Sequence, residues 1–302
     1  MAKKNEFDTT TVEYHKKCVE LKSGAFTLAV TTQVGPRIIG GFIDKSPNIF
    51  RVMPDKALPG CDSGFRLYGG HRLWHAPEVM PRSYAPDNKP VTVRDTSDGV
   101  EFSSGVEEMT GIEKAITIDV LGNERFRVTH RLINRNAWCV EIAPWALSVM
   151  APGGMAIIPQ QHVKGASPFA ADRGIMLWTY TELTDPRLTL GRDYVLLRQD
   201  VTAARACKIG FNAERGWIAY VNAGTALIKY FEHFVDAQYP DNGCSVESYS
   251  CADFCEIETL APLFNLEPGQ TAEHVELWEG LSGLPEINTE ADVRKHIEPA
   301  VQ

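Results

Sequence analysis

Two glutamates, Glu256 and Glu258, lie two residues apart within residues 239–279, a stretch that has the pattern of three consecutive β-strands. Side chains alternate along a strand, so both carboxylates share one face and lie roughly 6–7 Å apart along it. Glu247 and Tyr249 share one face of the preceding predicted strand in the same way. Carboxylates paired like this can serve as a general acid and a general base, or can simply face water.

A short segment, residues 68–78, concentrates side chains that can bind a sugar. Its sequence is YGGHRLWHAPE, which contains His71, Arg72, Trp74, His75 and Glu78. An indole can pack on the C–H face of a pyranose, while charged and planar groups exchange hydrogen bonds with its hydroxyls. The same residues can instead form a polar network that ties down a long loop.

The two histidines of this segment also have the spacing of a zinc-binding pair on a helix. Arg72 stands where the metalloprotease motif has a glutamate, and the flanking Gly-Gly and Ala-Pro leave little room for a helix. In an extended segment, the imidazoles of His71 and His75 are about 13 Å apart and cannot share an ion. We therefore expect no metal at this segment.

The seven cysteines do not have the spacing of a zinc knuckle. Cys244, Cys251 and Cys255 lie near one another in sequence, and a buried strand explains them better than a metal site. An odd number of cysteines favours free thiols in a reducing cytoplasm. Serine-nucleophile and glycine-rich phosphate-binding motifs are absent. The sequence predicts neither a metal nor a cofactor.

The charge and hydropathy of the chain narrow the class of partner. The 302 residues carry a formal net charge of −9, with a pI of about 5.4. This acidic balance argues against nucleic acid or an anionic membrane surface. No apolar run reaches the roughly 18–20 residues that cross a bilayer, and the N-terminus lacks the apolar segment of a signal peptide. We therefore expect a cytoplasmic protein that binds a small molecule.

Most segments with a recognisable residue pattern alternate polar and apolar residues or are rich in β-branched and aromatic residues. Both patterns predict β-strands. The predicted strands span residues 12–21, 25–33, 37–43, 91–94, 100–103, 112–120, 126–134, 139–149, 154–159, 174–180, 206–212, 216–222, 225–234, 245–250, 254–260 and 272–278. One short helix is predicted near the C-terminus, over residues 288–297. The pattern predicts an all-β fold in which residues 1–302 form a single large antiparallel β-sandwich domain.

Two long stretches, residues 54–89 and 160–174, are predicted to be irregular, and loops of that length in a compact domain are usually functional. Pro144 and Trp145 interrupt an otherwise core-like strand, so that strand is predicted to bend or to lie at a sheet edge.

Three pieces of the chain resemble the galactose-mutarotase-like (aldose 1-epimerase-like) superfamily. GAFTLAVTTQVGPRIIGGFI, with Arg37 in its turn, resembles the opening strands of that family. YGGHRLWHAPE resembles the Gly-Gly-x3-Trp segment of the hexose-phosphate mutarotase branch, and SVESYSCADFCEIETLAPL resembles the closing stretch that holds the catalytic base. The resemblance implies a β-supersandwich, in agreement with the strand pattern.

The chemistry that the resemblance implies is the interconversion of anomers. A glutamate removes the proton of the C1 hydroxyl while a histidine protonates the ring oxygen, and the carry-over places the base on Glu258. The histidine motifs of the true epimerases are not found, which leaves His71 and His75 as the candidate acids. The candidate substrate-binding residues are Arg37, Arg72, Trp74, Glu78, Trp145, Gln160, His162, Asp241, Glu247, Tyr249 and Glu256.

Three functions are compatible with these residues. The first is an aldose 1-epimerase-like isomerase, and the second is a carbohydrate-binding module without turnover. The third is a hydrolase or lyase acting on glycans or uronic acids. The carboxylate of a uronic acid could be neutralised by Arg72 and Arg37. A neutral aldose is the expected ligand, because a phosphosugar normally requires clustered arginines and lysines.

Overall fold

Antiparallel strands make up most of the regular structure of the computed structural model, which describes residues 8–55, 61–161, 169, 171 and 173–301. The strands of the first half are β1 (Thr9–Val12), β2 (His15–Ser23), β3 (Phe26–Thr31), β4 (Arg37–Ile43), β5 (Gly70–Ala76), β6 (Thr92–Asp95), β7 (Gly99–Val106), β8 (Ile112–Gly122), β9 (Arg125–Asn134), β10 (Val140–Met150) and β11 (Met155–Pro159). Those of the second half are β12 (Ile175–Leu177), β13 (Leu188–Leu190), β14 (Tyr194–Arg198), β15 (Cys207–Phe211), β16 (Trp217–Asn222), β17 (Thr225–Phe231), β18 (Val246–Ser250), β19 (Cys255–Leu260), β20 (Phe264–Leu266) and β21 (Thr271–Leu281).

Helices are few and short. A helical turn, α1 (Pro240–Gly243), precedes β18, and α2 (Glu290–His296) follows the last strand. The Thr289 side chain accepts a hydrogen bond from the Asp292 backbone N–H, and the Asp292 carboxylate accepts one from the Thr289 backbone N–H, so a capping box starts α2. The predicted C-terminal helix is confirmed. Within the described part of the chain, no helix has the length and apolar content needed to cross a membrane.

The strands form two large antiparallel sheets. Sheet I runs in the order β1-β2-β3-β4-β5-β10-β19-β18-β15-β12, with β20 also paired to β10. Sheet II runs in the order β13-β14-β11-β16-β17-β21-β9-β8-β7-β6. Together with one short C-terminal helix, this arrangement confirms the predicted all-β sandwich.

The strand β5 corrects the prediction that residues 54–89 are wholly irregular. All seven of its residues are buried, and it lies between β4 and β10 near the middle of sheet I. A strand that is covered on both faces does not need to alternate apolar with polar residues, so the pattern used to find strands fails there. The other stretch that was predicted to be irregular, residues 160–174, lies largely outside the described residues.

The strand β10 is central in sheet I, although it contains Pro144. Proline has no N–H to donate, so it needs a position where a ladder hydrogen bond can be omitted. On one side of β10, pairing with β19 begins at Trp145 and pairing with β20 ends at Ile142. Pro144 therefore lies at the change of partner, and the prediction of an edge strand at this position is corrected.

An apolar core fills the space between the two sheets. Phe26 of β3 packs edge-to-face on Phe126 of β9, with 5.3 Å between the ring centroids. Phe50 packs on Trp278 of β21 at 5.9 Å. All four side chains are at most 2 % exposed, and each contributes about 1.5–3 kcal/mol of hydrophobic stabilisation.

Inside this core lies a group of polar side chains that we call the central polar network. It comprises His71, Ser148 and Thr259 from sheet I, and His130, Lys229, His274 and Glu276 from sheet II. All seven are buried, so every donor and acceptor among them must be paired within the protein.

The histidines of the central polar network are held as neutral imidazoles. His130 Nδ1 lies 3.0 Å from the carbonyl oxygen of His274, which can only accept, so this nitrogen carries the proton. His130 Nε2 then accepts the hydrogen bond from His71 Nε2, 2.7 Å away, and His71 Nδ1 accepts from Ser148 Oγ at 2.9 Å. Burial lowers the pKa of His71 well below its usual value and also lowers the pKa of His130.

The carboxylate of Glu276 is the anionic centre of the same network. Thr259 Oγ1 and Lys229 Nζ donate to its Oε1 at 2.6 and 3.1 Å, and Trp278 Nε1 donates to its Oε2 at 2.7 Å. Burial alone would raise the pKa of Glu276, but the charge of Lys229 prevails and lowers it to about 2. His274 donates from Nε2 to Thr259 Oγ1 at 2.7 Å, and burial lowers its pKa to about 3.

The network predicts a loss of stability in mild acid. Below about pH 6.5 the unfolded chain binds protons that these buried imidazoles cannot bind, so the free energy of unfolding falls with pH. Each imidazole that stays neutral in the folded protein lowers the free energy of unfolding by about 1.4 kcal/mol at pH 5.5. Urea unfolding at pH 7.5, 6.5 and 5.5 should show this slope, and His274→Gln should reduce it by about one proton. An equal slope in His274→Gln and in the wild type would contradict the assignment.

Candidate functional site

Charged side chains from neighbouring strands meet on the face of sheet I that points away from sheet II. Directly opposite residues of an antiparallel pair project to the same face. Arg72 of β5 lies opposite Leu147 of β10, which lies opposite Glu258 of β19, which lies opposite Glu247 of β18. Pairing of β19 with both neighbours has no register shift, so Glu256 projects to the same face as Glu258. We call Arg72, Lys208, Glu247, Glu256 and Glu258 the charged cluster.

Lys208 of β15 is the cation at the centre of this cluster. Its Nζ lies 2.7 Å from Glu247 Oε2 and 3.1 Å from Glu258 Oε2. The same ammonium lies over two indole rings, 4.8 Å from the centroid of Trp145 and 4.6 Å from that of Trp178. Burial would lower the pKa of Lys208, but the two carboxylates prevail and raise it well above its usual value. Lys208 therefore stays charged.

The carboxylate of Glu258 is fixed at one oxygen. Trp145 Nε1 donates to its Oε2 at 2.9 Å, beside the contact from Lys208. Its Oε1 has no hydrogen-bond partner among the described residues. Glu258 is fully buried, so this oxygen can accept a hydrogen bond only from a group that enters the cluster.

Arg72 pairs with the second carboxylate of β19. Its NH2 donates to Glu256 Oε1 at 3.2 Å, and the guanidinium lies 4.4 Å above the Trp74 ring. Arg72 Nε and NH1 have no partner in the part of the chain that the structure describes. Two further donors are therefore aligned at this face of the sheet.

The charged cluster contains three buried carboxylates but only two cations. Burial raises the pKa of Glu256 to about 7, with a further contribution from the charge of Glu258 and an opposing one from Arg72. Burial also raises the pKa of Glu247 well above its usual value. One proton held among these carboxyl groups brings the cluster close to neutrality, and a pKa of about 7 lets Glu256 donate a proton near neutral pH.

Aromatic rings border the cluster. Tyr180, which is 43 % exposed, lies edge-on to Tyr249 with 6.5 Å between centroids. Tyr84 packs on Trp74 at 4.9 Å, and its hydroxyl donates to Glu78. Aromatic faces beside buried charged groups provide the two kinds of contact that a pyranose needs.

The structure brings most of the predicted site residues together. Arg72, Trp74, Trp145, Glu247, Tyr249, Glu256 and Glu258 belong to this face, with Glu78 at its border. Asp241 lies in α1, where its charge contributes to the raised pKa of Glu247. Arg37 lies opposite Arg72, but its guanidinium is bound to the Gly69 carbonyl and to Asp87.

The two candidate acids, His71 and His75, are not brought to this face. They alternate with Arg72 and Trp74 along β5, so they project to the side of sheet I that faces sheet II. His71 belongs to the central polar network, and His75 Nε2 lies 3.5 Å from Glu107 Oε2. Sheet I lies between either imidazole and Glu258, so neither can share a pyranose with that carboxylate in this arrangement.

One other candidate, Gln160, lies apart from the cluster. Gln160 follows β11 in sheet II, where its backbone N–H donates to the Asp193 carbonyl at 2.8 Å. His162 lies outside the described residues.

Sequence reasoning missed Lys208 and the rings of Trp178 and Tyr180. Lys208 stands alone among apolar residues in the strand sequence CKIGF, which β15 buries completely. A lysine inside a fully apolar strand requires a buried anion, and that requirement was a usable signal.

The described residues contain one group of potential metal ligands, and it lies in the central polar network. The ligand atoms of His71, His130 and Glu276 are all within 4.8 Å of one another. The facing imidazole nitrogens are already hydrogen-bonded at 2.7 Å, and the ammonium of Lys229 contacts the carboxylate. The donors and acceptors of this group therefore satisfy one another.

Removal of the central cation should destabilise the fold. Lys208→Met leaves the Glu247 and Glu258 carboxylates buried without a counter-ion, which costs about 3–5 kcal/mol for a broken buried pair. Urea unfolding of the variant should show this loss, and adding Glu247→Gln should restore part of it. Lys89→Met is the matched control, because Lys89 pairs with Glu108 at a fully solvated position. Equal unfolding midpoints for Lys208→Met and Lys89→Met would contradict the assignment.

The chain matches no family model and no curated protein, so the proteins similar to it are found by structure alone. A galactose mutarotase-like protein from Lactobacillus casei superposes with a TM-score of 0.53 at 10% sequence identity, covering 87% of this chain and 100% of that one. A galactose mutarotase related enzyme from Lactobacillus acidophilus gives a TM-score of 0.53 at 8% identity, covering 90% of this chain and 100% of the other.

A galactose mutarotase-like protein from Clostridium acetobutylicum is similar to the same extent, with a TM-score of 0.51 at 11% identity and coverage of 91% and 98%. At these identities the likeness concerns the fold and not the activity. The two sheets of this chain therefore form a β-sandwich of the galactose-mutarotase-like fold.

Proposed function

We propose that the chain is an aldose 1-epimerase-like isomerase that interconverts the anomers of a neutral aldose at the charged cluster. One observation carries this proposal: Glu258 is fixed through Oε2 by Trp145 and Lys208, while its Oε1 has no partner among the described residues. A buried acceptor that is oriented but unsatisfied is arranged to take a proton from a bound group.

In this proposal Glu258 is the general base. Its Oε1 removes the proton from the C1 hydroxyl, and the bond between C1 and the ring oxygen breaks as the aldehyde forms. The Trp145 and Lys208 contacts hold the carboxylate in one orientation during the transfer. Rotation about the C1–C2 bond and ring closure, with both proton transfers reversed, give the other anomer.

Glu256 replaces the expected histidine as the general acid. It lies two residues from Glu258 on the same face, and burial raises its pKa to about 7. The protonated carboxyl group donates to the ring oxygen as the ring opens and recovers the proton as it closes. A proton donor and a proton acceptor on one face of the sheet meet the geometric requirement of this reaction.

The charge of the cluster favours a neutral sugar. Three carboxylates outnumber the two cations, Arg72 and Lys208, both of which already contact carboxylates. A uronate or a sugar phosphate would add a further negative charge to this buried site, at a large cost in free energy. The unpaired nitrogens of Arg72 suit hydroxyl oxygens, and the bordering rings suit the C–H face of the sugar.

A carbohydrate-binding module without turnover is the second candidate. It is favoured by the contact between Lys208 Nζ and Glu258 Oε2 at 3.1 Å, because a carboxylate held in an ion pair is a fixed hydrogen-bond acceptor for a sugar hydroxyl. The two candidates share the same binding residues and differ only in whether Glu258 accepts a proton.

Substitution of the base separates the two candidates. Proton NMR of freshly dissolved α-glucose and α-galactose should show catalysed anomerisation with the wild type and a loss of at least 100-fold in Glu258→Gln, as for removal of a general base. Glu141→Gln, at an exposed position of β10, should keep the wild-type rate. Sugar binding without acceleration by the wild type would instead support the binding module.

The pH dependence of the isomerisation rate tests whether Glu256 is the general acid. Because Glu256 has to be protonated to donate, kcat/KM should decrease as pH rises through about 7, approaching tenfold per pH unit. Glu256→Gln should lower the rate and remove this decrease. NMR rates between pH 6 and 8.5 are the measurement, and a wild-type profile that is flat over this range would exclude Glu256 as the acid.

A further inference from the structure

A cavity of about 400 Å³ lies behind β5, on the opposite side from the charged cluster. Its walls are mostly apolar and include Met109, Ile112, Trp138 and Ile142. The polar residues of the lining are His75, Arg82, Thr110 and Asn136. The volume is within the usual range for small-molecule sites. The proposed isomerase uses none of these residues.

The polar part of this cavity is anchored. His75 is fully buried, with Nε2 3.5 Å from Glu107 Oε2, and Lys114 Nζ lies 2.5 Å from Glu107 Oε1. The charge of Lys114 and the contact with His75 outweigh burial and lower the pKa of Glu107 to about 2, so this carboxylate is ionised. Arg82 donates from NH2 to the Pro77 carbonyl at 2.6 Å.

Three buried nitrogens of the lining have no hydrogen-bond partner among the residues that the structure describes: His75 Nδ1, His75 Nε2 and Arg82 Nε. Of these, His75 Nε2 faces Glu107 Oε2 at 3.5 Å, which leaves His75 Nδ1 and Arg82 Nε without a polar group opposite them. The ionised Glu107 holds the proton of His75 on Nε2, so Nδ1 is an acceptor, whereas Arg82 Nε is a donor. Buried groups of this kind are normally satisfied, which points to an external partner.

The outer wall is an aromatic side chain on a fixed turn. Trp138 is 65 % exposed, although its backbone carbonyl accepts a hydrogen bond from Asn134 Nδ2 at 2.8 Å. Asn136 Nδ2 donates to the Thr110 carbonyl at 2.9 Å and joins this turn to the one that carries Met109. Met109 is itself 49 % exposed. An exposed indole on an anchored backbone beside an apolar cavity presents a ring face on which an aromatic ligand can stack.

We propose that this cavity binds a small aromatic alcohol, whose ring packs against Trp138 and Met109 and whose hydroxyl donates to His75 Nδ1 and accepts from Arg82 Nε. A hydroxyl is the simplest group that meets one buried acceptor and one buried donor together. A carboxylate would place a negative charge against the Nδ1 lone pair. A sugar carries more hydroxyls than the two free nitrogens can satisfy.

The ligand pair 2-naphthol and 2-methoxynaphthalene tests the hydroxyl without altering the protein. Isothermal titration calorimetry of the full chain should give an affinity for 2-naphthol at least tenfold higher than for its methyl ether, which cannot donate to His75. Trp138→Ala should weaken 2-naphthol binding about tenfold, whereas Tyr14→Ala, at another exposed ring, should leave it unchanged.

The outcomes are distinguishable from those of the isomerase. Glu258→Gln should bind 2-naphthol as the wild type does, because the two sites lie on opposite faces of β5. Equal affinities for the two naphthalenes, no binding of 2-naphthol, or full affinity in Trp138→Ala would each overturn the proposal. Competition of glucose with 2-naphthol would show instead that the cavity is a sugar site.

Discussion

Each buried polar side chain of the central strands has to find its partner on its own face of sheet I. Because β5 and β19 are covered on both sides, alternation divides their polar residues between two separate environments. On β19, Thr259 joins the central polar network, whereas its neighbour Glu258 joins the charged cluster. On β5, His71 and Arg72 are divided in the same way. Residues that are adjacent in sequence therefore belong to different polar groups, on opposite faces of the sheet.

The central polar network and the charged cluster differ in how their positive and negative charges are matched. In the central polar network Glu276 is matched by Lys229, and neutral imidazoles complete the hydrogen bonds. In the charged cluster Lys208 and Arg72 face one carboxylate too many. A closed network gives structural specificity, while an unbalanced one leaves a proton to be exchanged near neutral pH. This imbalance, more than the number of acidic residues, is the reason that we propose the charged cluster as the reactive site.

The alternation of polar and apolar residues allowed much of the fold to be predicted from the sequence. The strands, the C-terminal helix and the shared face of Glu256 and Glu258 follow from period-two patterning and cap signals, which are local. The strand β5 was not predicted, because both of its faces are covered and its sequence therefore shows no alternation. The pairing of Lys208 with Glu258, across fifty positions of the chain, depends on strand order in the sheet, which local patterns do not encode.

The placement of His71 shows that a segment can contain the expected residue types while the structure directs some of them to the other face of the sheet. The segment around β5 has the mixture of residues expected of a sugar site, and two of them, Arg72 and Trp74, lie on the same face of the sheet as Glu258. Its imidazoles face the other way because strand geometry fixes the side of each residue by parity. An acid on this face therefore has to come from a residue of matching parity, and on β19 that residue is Glu256. A carboxyl group whose pKa is raised by burial can take the role that an imidazole fills elsewhere, since the reaction requires a proton donor near neutral pH and not a particular side chain.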